Sequence, residues 1–474
     1  MCSGVRIGDA AVTPTHSKGV IMFSSHRRGV LRGIVLLAVG FVAAFAAPAG
    51  AQQYSPDDDF TAVWTRAQAL KVGLDPTNTK PLIPPDFPVM SNEVWVWDTW
   101  PLTNLKTEPI SYKGWNIIFS LVAPRTIGFN ERHQVATIGY FYSRDAKSWR
   151  YGGTVFPGGR TNALGTRQWA GSAVLTGEEV NLFYTASGNR EGLPFEEALN
   201  DPNWLFGDTE QRLAHATARI RADDNGVWFA GRSFRNSRII AEADGRMYQT
   251  EGQSRGAPII YAFRDPFIFR DPEDGEVYIA FEGNSPGRAG EHTCTNGEIG
   301  PVPPGHEVPA DANLYTGNIG LARARGANLR RWRLLPPLVS ANCVNQQLER
   351  PHFVFHEGSY YLFTISHTGT FAPGLTGPDG VYGFIGPSLR SDYKPLNASA
   401  LVLGNPPEAP FMQYSEYVMP NWLVEAFIDN VPTPDGIREG GTLAPTLRLE
   451  VDGSNTYMVE VLDYGFIPAM RDAG

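Results

Sequence analysis

Tyr140-Phe141-Tyr142-Ser143-Arg144-Asp145-Ala146-Lys147-Ser148-Trp149 is the stretch that decides the fold. Three aromatics make a strand, small and charged residues make a turn, and a tryptophan opens the return. The same build recurs twice. Ile319-Gly320-Leu321-Ala322-Arg323-Ala324 leads through a polar turn to Trp332, and Phe384-Ile385-Gly386-Pro387-Ser388 leads to Tyr393. The spacing is uneven, so the repeat is degenerate, but it has the look of recurring outer hairpins.

Working outward, short runs rich in Val, Ile, Tyr, Phe and Trp alternate with Gly, Asn, Asp and Pro turns. They fall at 94–97, 115–122, 135–142, 179–186, 258–263, 276–282, 352–356, 359–366 and 381–385. Fifty glycines and 37 prolines suit many tight turns. The pattern predicts an all-β sandwich, barrel or propeller, and the repeat favours the propeller. Insertions at 187–215, 284–315 and 367–380 are expected to be loops on one face, where sites gather. One short helix is expected early. Phe60, Val63, Trp64, Ala67 and Leu70 have helical spacing, Asp57, Asp58 and Asp59 are placed to cap it, and Gly73 and Pro76 end it. The Pro-rich stretch 81–88 reads as a connector.

The N-terminus reads as a processing segment. Arg27, Arg28 and Arg32 precede an apolar run from Gly33 to about Ala46, and small residues ending Ala49-Gly50-Ala51 follow. That is the order of a secretory signal, and the run is short for a membrane span. Met22 is an alternative start, and His26-Arg27-Arg28-Gly29-Val30-Leu31 loosely resembles a twin-arginine signal. The expected division is a signal over 1–51 and one catalytic domain over 52–474, secreted or periplasmic, with no membrane association after cleavage. Cys2 leaves with the signal. Cys294 and Cys343 remain, an even number in an oxidising compartment, which favours a disulfide over two buried thiols. A net charge of −9 offers no concentrated basic surface for nucleic acid. The many aromatics (11 Trp, 18 Tyr, 26 Phe) suit stacking on sugar faces and equally suit a β-rich core.

Three acidic clusters stand out. Val94-Trp95-Val96-Trp97-Asp98-Thr99-Trp100-Pro101-Leu102 sets one carboxylate among apolar residues, where burial is costly unless it is paired. In Tyr261-Ala262-Phe263-Arg264-Asp265-Pro266-Phe267-Ile268-Phe269, a charged pair sits at the end of a strand and Pro266 forces a turn. Gln346-Gln347-Leu348-Glu349-Arg350-Pro351-His352-Phe353 repeats that design. Alone, each admits a structural reading: a turn-binding Asp or an exposed ion pair. Together they match retaining glycosidic chemistry. That chemistry needs a carboxylate nucleophile and a proton-donating carboxyl about 5 Å away.

These residues resemble the levansucrases and related bacterial fructosyltransferases of glycoside hydrolase family 68. The resemblance rests on residues 96–102, on Gln168-Trp169-Ala170-Gly171-Ser172-Ala173, on Phe263-Arg264-Asp265-Pro266 and on Leu348-Glu349-Arg350-Pro351. Ser366-His367-Thr368 and Gln413-Tyr414-Ser415-Glu416-Tyr417 extend it. It implies a five-bladed β-propeller with a central active-site pocket. Asp98 is then the nucleophile, Glu349 the acid/base and Asp265 the transition-state stabiliser. Trp97 and Trp169 wall the fructosyl subsite. Arg264, Arg350 and Tyr414 bind sugar hydroxyls or orient Glu349, and His367 handles the acceptor. The substrates implied are sucrose and fructan acceptors.

Three positions depart from the commonest pattern. Ala170 stands for a serine that contacts the nucleophile. Gln346 and Gln347 replace an acidic pair of Gram-positive members, which removes a calcium ligand. Glu416 stands where a histidine is expected. A Cys294–Cys343 disulfide is the Gram-negative substitute for the calcium, so neither metal nor cofactor is expected. A sucrose-hydrolysing β-fructofuranosidase and an inulosucrase share every motif. A non-catalytic sugar-binding propeller has no need of Asp98 together with Glu349, and the Trp97 and Arg264 contexts point away from an arabinan-type furanosidase. Linkage type, polymer length and oligomeric state do not follow from the sequence.

Overall fold

Buried apolar strands account for nearly all regular structure in the computed structural model, which describes residues 53–157, 163–204 and 209–473. The expected signal over 1–51 lies outside the described residues.

Strands Val94–Thr103, Trp115–Pro124, Thr137–Ser143 and Arg150–Thr154 form one antiparallel meander. Strands Arg167–Thr176, Glu179–Ser187, Gln211–Asp223 and Arg235–Glu242 form a second. Parallel pairing of Leu102 and Thr103 with Ala173 and Val174 joins the two, giving an eleven-stranded sheet. Three five-stranded sheets come after it in the chain. They begin at Phe263–Arg270, Glu349–His356 and Gln413–Val418. The first strands pack in a closed cycle. Val94–Thr103 meets Arg167–Thr176, which meets Phe263–Arg270, then Glu349–His356, then Gln413–Val418, which returns to Val94–Thr103. The fold is all-β and propeller-like.

The repeat read in the sequence is real at the level of hairpins. Tyr142 pairs with Arg150, Ala324 with Trp332 and Ile385 with Lys394. In each case the polar turn joins the third strand of a meander to the next.

Two local expectations need correction. The early helix is only Arg66–Ala69, capped by Thr65 rather than by the aspartates. Ala62 and Val63 instead pair in parallel with Val339 and Ser340, and Asp57 pairs with Arg323 and Arg333. The helical spacing of apolar residues came from tertiary burial. Trp64 is wholly buried against Phe371, Tyr382 and Phe384. Second, Pro266 and Pro351 do not end strands. Both lie inside continuous strands, Phe263–Arg270 and Glu349–His356. A proline is tolerated there because the ladder is already interrupted by a bulge. In addition, the insertion at 187–215 is not all loop, since Gln211–Asp223 is a strand.

Cys294 and Cys343 form a disulfide, with Cα atoms 5.9 Å apart. It ties the largely irregular stretch after Asn284 to the segment that enters the Glu349 strand. No described helix is long and apolar enough to cross a membrane.

Candidate active site

In a regular strand consecutive side chains point to opposite faces. A residue pair such as Trp97-Asp98 therefore cannot serve one cavity unless the strand is broken. All five first strands are broken at a comparable place. Register shifts occur at Trp97/Trp100, Trp169/Gly171, Arg264/Phe267, Glu349/His352 and Tyr414/Tyr417. Asp98, Asp265, Arg350 and Ser415 adopt left-handed backbone there, with φ of 46°, 59°, 47° and 67°. Such positions cost on the order of 1–3 kcal/mol each and persist where the surroundings enforce them. Their effect is to let Trp97 with Asp98, Arg264 with Asp265, and Glu349 with Arg350 line the same cavity, a space of about 280 Å³. Trp169, His367 and Tyr414 line it too. Every catalytic or binding residue read from the sequence, the disulfide aside, is therefore brought to one place.

Arg264 is the electrostatic hub. Its guanidinium lies 2.7 Å from Glu282, 3.0 Å from Glu349 and 4.0 Å from Asp265. Glu349 accepts the Tyr414 hydroxyl on its other oxygen. Asp265 accepts the Arg350 backbone N–H at 3.2 Å. Arg350 in turn donates to the Ser415 carbonyl at 2.7 Å and to the Thr99 carbonyl. Burial pushes the Asp98 carboxyl above its ordinary range, while Arg350 and the Ser415 hydroxyl oppose that shift. Asp265 is pushed up to about 7, first by burial and then by Glu349 and Asp98, against the pull of Arg264 and Arg350. The indole N–H groups of Trp97 and Trp169 are buried and have no hydrogen-bond partner among the described residues.

His367 stands at the mouth, its side chain 40% exposed, with Nδ1 2.8 Å from Asp379. Its ring stacks on Tyr414 at 3.7 Å, so it reaches Glu349 through one intervening side chain. The departures are also accounted for. Ala170 offers no side-chain donor, and Ser415 supplies one to Asp98. Gln346 accepts the Thr316 N–H at 2.8 Å. Glu416 forms a buried ion pair with Lys80.

Sequence reasoning missed several wall residues. Arg132, His133, Trp204 and Asp429 line the cavity. Arg132 pairs with Asp429 at 3.0 Å and sits 5.6 Å from the Trp97 ring. Residues 129–135 are mostly polar in sequence, and nothing in that pattern separates them from solvated chain. Glu282 was findable. Like Asp98, it is a lone carboxylate in an apolar run, Val277–Asn284.

The Asp265 shift carries a stability prediction. Its folded value of about 7 lies above the ordinary 3.8, so between those limits the folded chain binds the extra proton. The linkage sign then makes stability fall as pH rises through that window, by on the order of a few kcal/mol. Asp265→Asn is therefore expected to raise the melting temperature at about pH 8 and to change it little at about pH 4. Equal shifts at both pH values, measured by thermal unfolding, would contradict this.

An all-β scaffold that converges carboxylates, arginines and tryptophans on one cavity has the build of a carbohydrate-processing protein. A family profile described as Levansucrase/Invertase matches residues 53–468. The chain is 45% identical over 430 residues to a levansucrase of Pseudomonas savastanoi pv. glycinea, covering 86% of this chain and 97% of that protein. It is 46% identical over 413 residues to an extracellular sucrase of Zymomonas mobilis, covering 86% and 95%. The crystal structure of a levansucrase from Gluconacetobacter diazotrophicus superposes with a TM-score of 0.79 at 37% identity, covering 89% and 95%. The chain belongs to the levansucrase/invertase family.

Proposed function

We propose that this chain is an exported levansucrase, a retaining fructosyltransferase that cleaves sucrose. The observation that carries the reading is the convergence of Asp98, Asp265 and Glu349 on one tryptophan-walled cavity. Asp98 attacks the fructosyl anomeric carbon and Glu349 protonates the departing glucose oxygen. The resulting fructosyl ester on Asp98 is then attacked by an acceptor hydroxyl, whose proton returns to Glu349. Asp265 holds fructosyl hydroxyls as positive charge develops at the ring. Arg264 and Tyr414 orient the Glu349 carboxyl, Arg350 fixes Asp265 and the bulge, and Trp97 and Trp169 wall the fructosyl subsite.

The fold reading that goes with it is a five-bladed β-propeller. The five bulged first strands and their closed cycle of packing support it. The domain reading is a signal over 1–51 removed on export and one catalytic domain over 52–474. The compactness of the described residues as one unit supports the second part. The extracellular sucrase among its relatives supports export beyond the cytoplasm.

Incubation with concentrated sucrose tests the function. Glucose release in excess of free fructose, with the difference recovered as fructan, is the expected result. Equimolar glucose and fructose would make the protein a hydrolase, and no glucose at all would make it a binding protein. The same assay tests His367. Removing its imidazole should weaken the hold on a sugar acceptor by roughly 1–3 kcal/mol, whereas water needs no such hold. His367→Ala is expected to lower the ratio of polymer to free fructose more than it lowers glucose release. Equal falls in both would show that His367 acts through Tyr414 on the shared first step.

A further inference from the structure

Outside the central cavity, three side chains of metal-ligand type converge beside the disulfide. His292 Nε2 lies 3.0 Å from Glu298 Oε1. One ligand atom from each of His292, Glu298 and Cys343 lies within 4.8 Å of the others. Cys294 Sγ is bonded to Cys343 Sγ, so reduction would free a second thiol next to this cluster. Glu298 is fixed in place: it accepts the Thr295 backbone N–H at 2.7 Å and the Asn342 side-chain amide at 3.0 Å. Burial opposes its ionisation, but hydrogen bonds from His292, Thr295 and Asn342 hold the carboxyl below its ordinary range. Supporting bonds of this kind orient the ligands of a metal site. His292 is 24% exposed along its side chain, which leaves a route from solvent.

We propose that in the reduced protein Cys294, Cys343, His292 and Glu298 bind one zinc ion, which replaces the disulfide as the clamp on residues 341–349. A dithiol reductant supplies two electrons and two protons to the Cys294–Cys343 bond, giving two thiols, and itself becomes a disulfide. Zinc then displaces both thiol protons and the proton between His292 Nε2 and Glu298, all of which leave to solvent. Two thiolates, one imidazole and one carboxylate make a four-ligand set of donor types that zinc accepts. Oxidation removes both thiolates, so the disulfide and the metal exclude each other.

The clamp bears on catalysis because Cys343 lies just upstream of the Glu349 strand. The Cys343 N–H donates to the Tyr315 carbonyl at 2.7 Å, and the Cys343 carbonyl accepts from Arg66 at 2.6 Å. The Gln346 N–H donates to the Thr370 carbonyl at 2.9 Å. Three residues later the chain reaches Glu349. Holding Cys343 therefore holds the approach to that strand, by a covalent bond where the surroundings oxidise and by a metal where they do not.

The test compares the oxidised full chain with the same chain reduced by a phosphine, each equilibrated with zinc and freed of excess metal. One zinc per chain is expected after reduction and none in the oxidised form. Cobalt in place of zinc should show thiolate charge-transfer and tetrahedral bands. His292→Ala should bind the reduced-state metal about tenfold more weakly or worse. Cys294→Ser keeps Cys343, His292 and Glu298 without any reductant, and is expected to bind zinc as isolated. Glucose release from sucrose reports that each form is folded. A folded reduced protein with two titratable thiols and no zinc would overturn the proposal. So would unchanged binding in His292→Ala, or a folded Cys294→Ser protein that takes up no metal.

Discussion

Asp98→Ala is expected to lower sucrose turnover by roughly four orders of magnitude or more while leaving the protein folded. Asp98 carries the only carboxylate in its strand, and the methyl of alanine offers no substitute for it as a nucleophile. The fold should survive because burial already disfavours the Asp98 charge. Removing a buried carboxylate whose ionisation is opposed does not leave a stranded partner, since Arg350 keeps its bonds to the Ser415 and Thr99 carbonyls. Single-turnover glucose release and thermal unfolding, measured side by side, check both halves. More than a tenth of the original turnover would remove Asp98 from the nucleophile's role. A collapse of the melting temperature would make it structural.

The second large effect belongs to Glu349. Glu349→Ala is expected to slow sucrose cleavage by about 10²–10⁴-fold or more, because the glucose oxygen then leaves unprotonated. Fructosyl fluoride separates the two duties of this residue. Fluoride departs without a proton, so the variant should release a burst of about one fluoride per active site at a rate close to the original protein's. Steady turnover should then stall, since the base that activates the acceptor is also gone. Absence of the burst would mean that Glu349 is needed before the leaving group departs, as a positioning group. The structure gives the substitution a mild structural consequence. Arg264 loses one carboxylate partner but keeps Glu282 at 2.7 Å.

These two residues show how far sequence pattern reached. Asp98 was visible because a lone carboxylate within Val94–Leu102 contradicts its apolar surroundings. Glu349 and Asp265 were visible as charged pairs before a proline, repeated in one chain. Glu282 and Glu425 obey the same logic as Asp98, each a buried carboxylate inside an apolar strand. Glu425 sits in Leu423–Thr433, has no hydrogen-bond partner for either oxygen among the described residues, and is driven well above the ordinary range by burial. Sequence reading passed over both because no neighbouring motif drew attention to them.

Local pattern determined a good deal by itself. Alternation of aromatic and β-branched runs with turn residues set the all-β class, since side-chain period and turn chemistry act over a few residues. It also identified the repeated hairpins, the three acidic clusters and the two cysteines, whereas the roles of Trp97 and Trp169 came from the family resemblance. Only the tertiary structure decided the rest. It replaced an expected helix over 60–70 by a short strand and a four-residue helix Arg66–Ala69, because Trp64 is buried by aromatics some three hundred residues away. It turned two expected proline turns into bulges inside strands. It brought Arg132, His133, Trp204 and Asp429 to the cavity from segments with no signal of their own. The reason is common to all three. Burial and backbone register are set by which strands become neighbours, and that information lies in contacts between residues far apart in the chain. A single sequence records which residues can form a strand, whereas the closed cycle of five bulged strands determines which side chains meet.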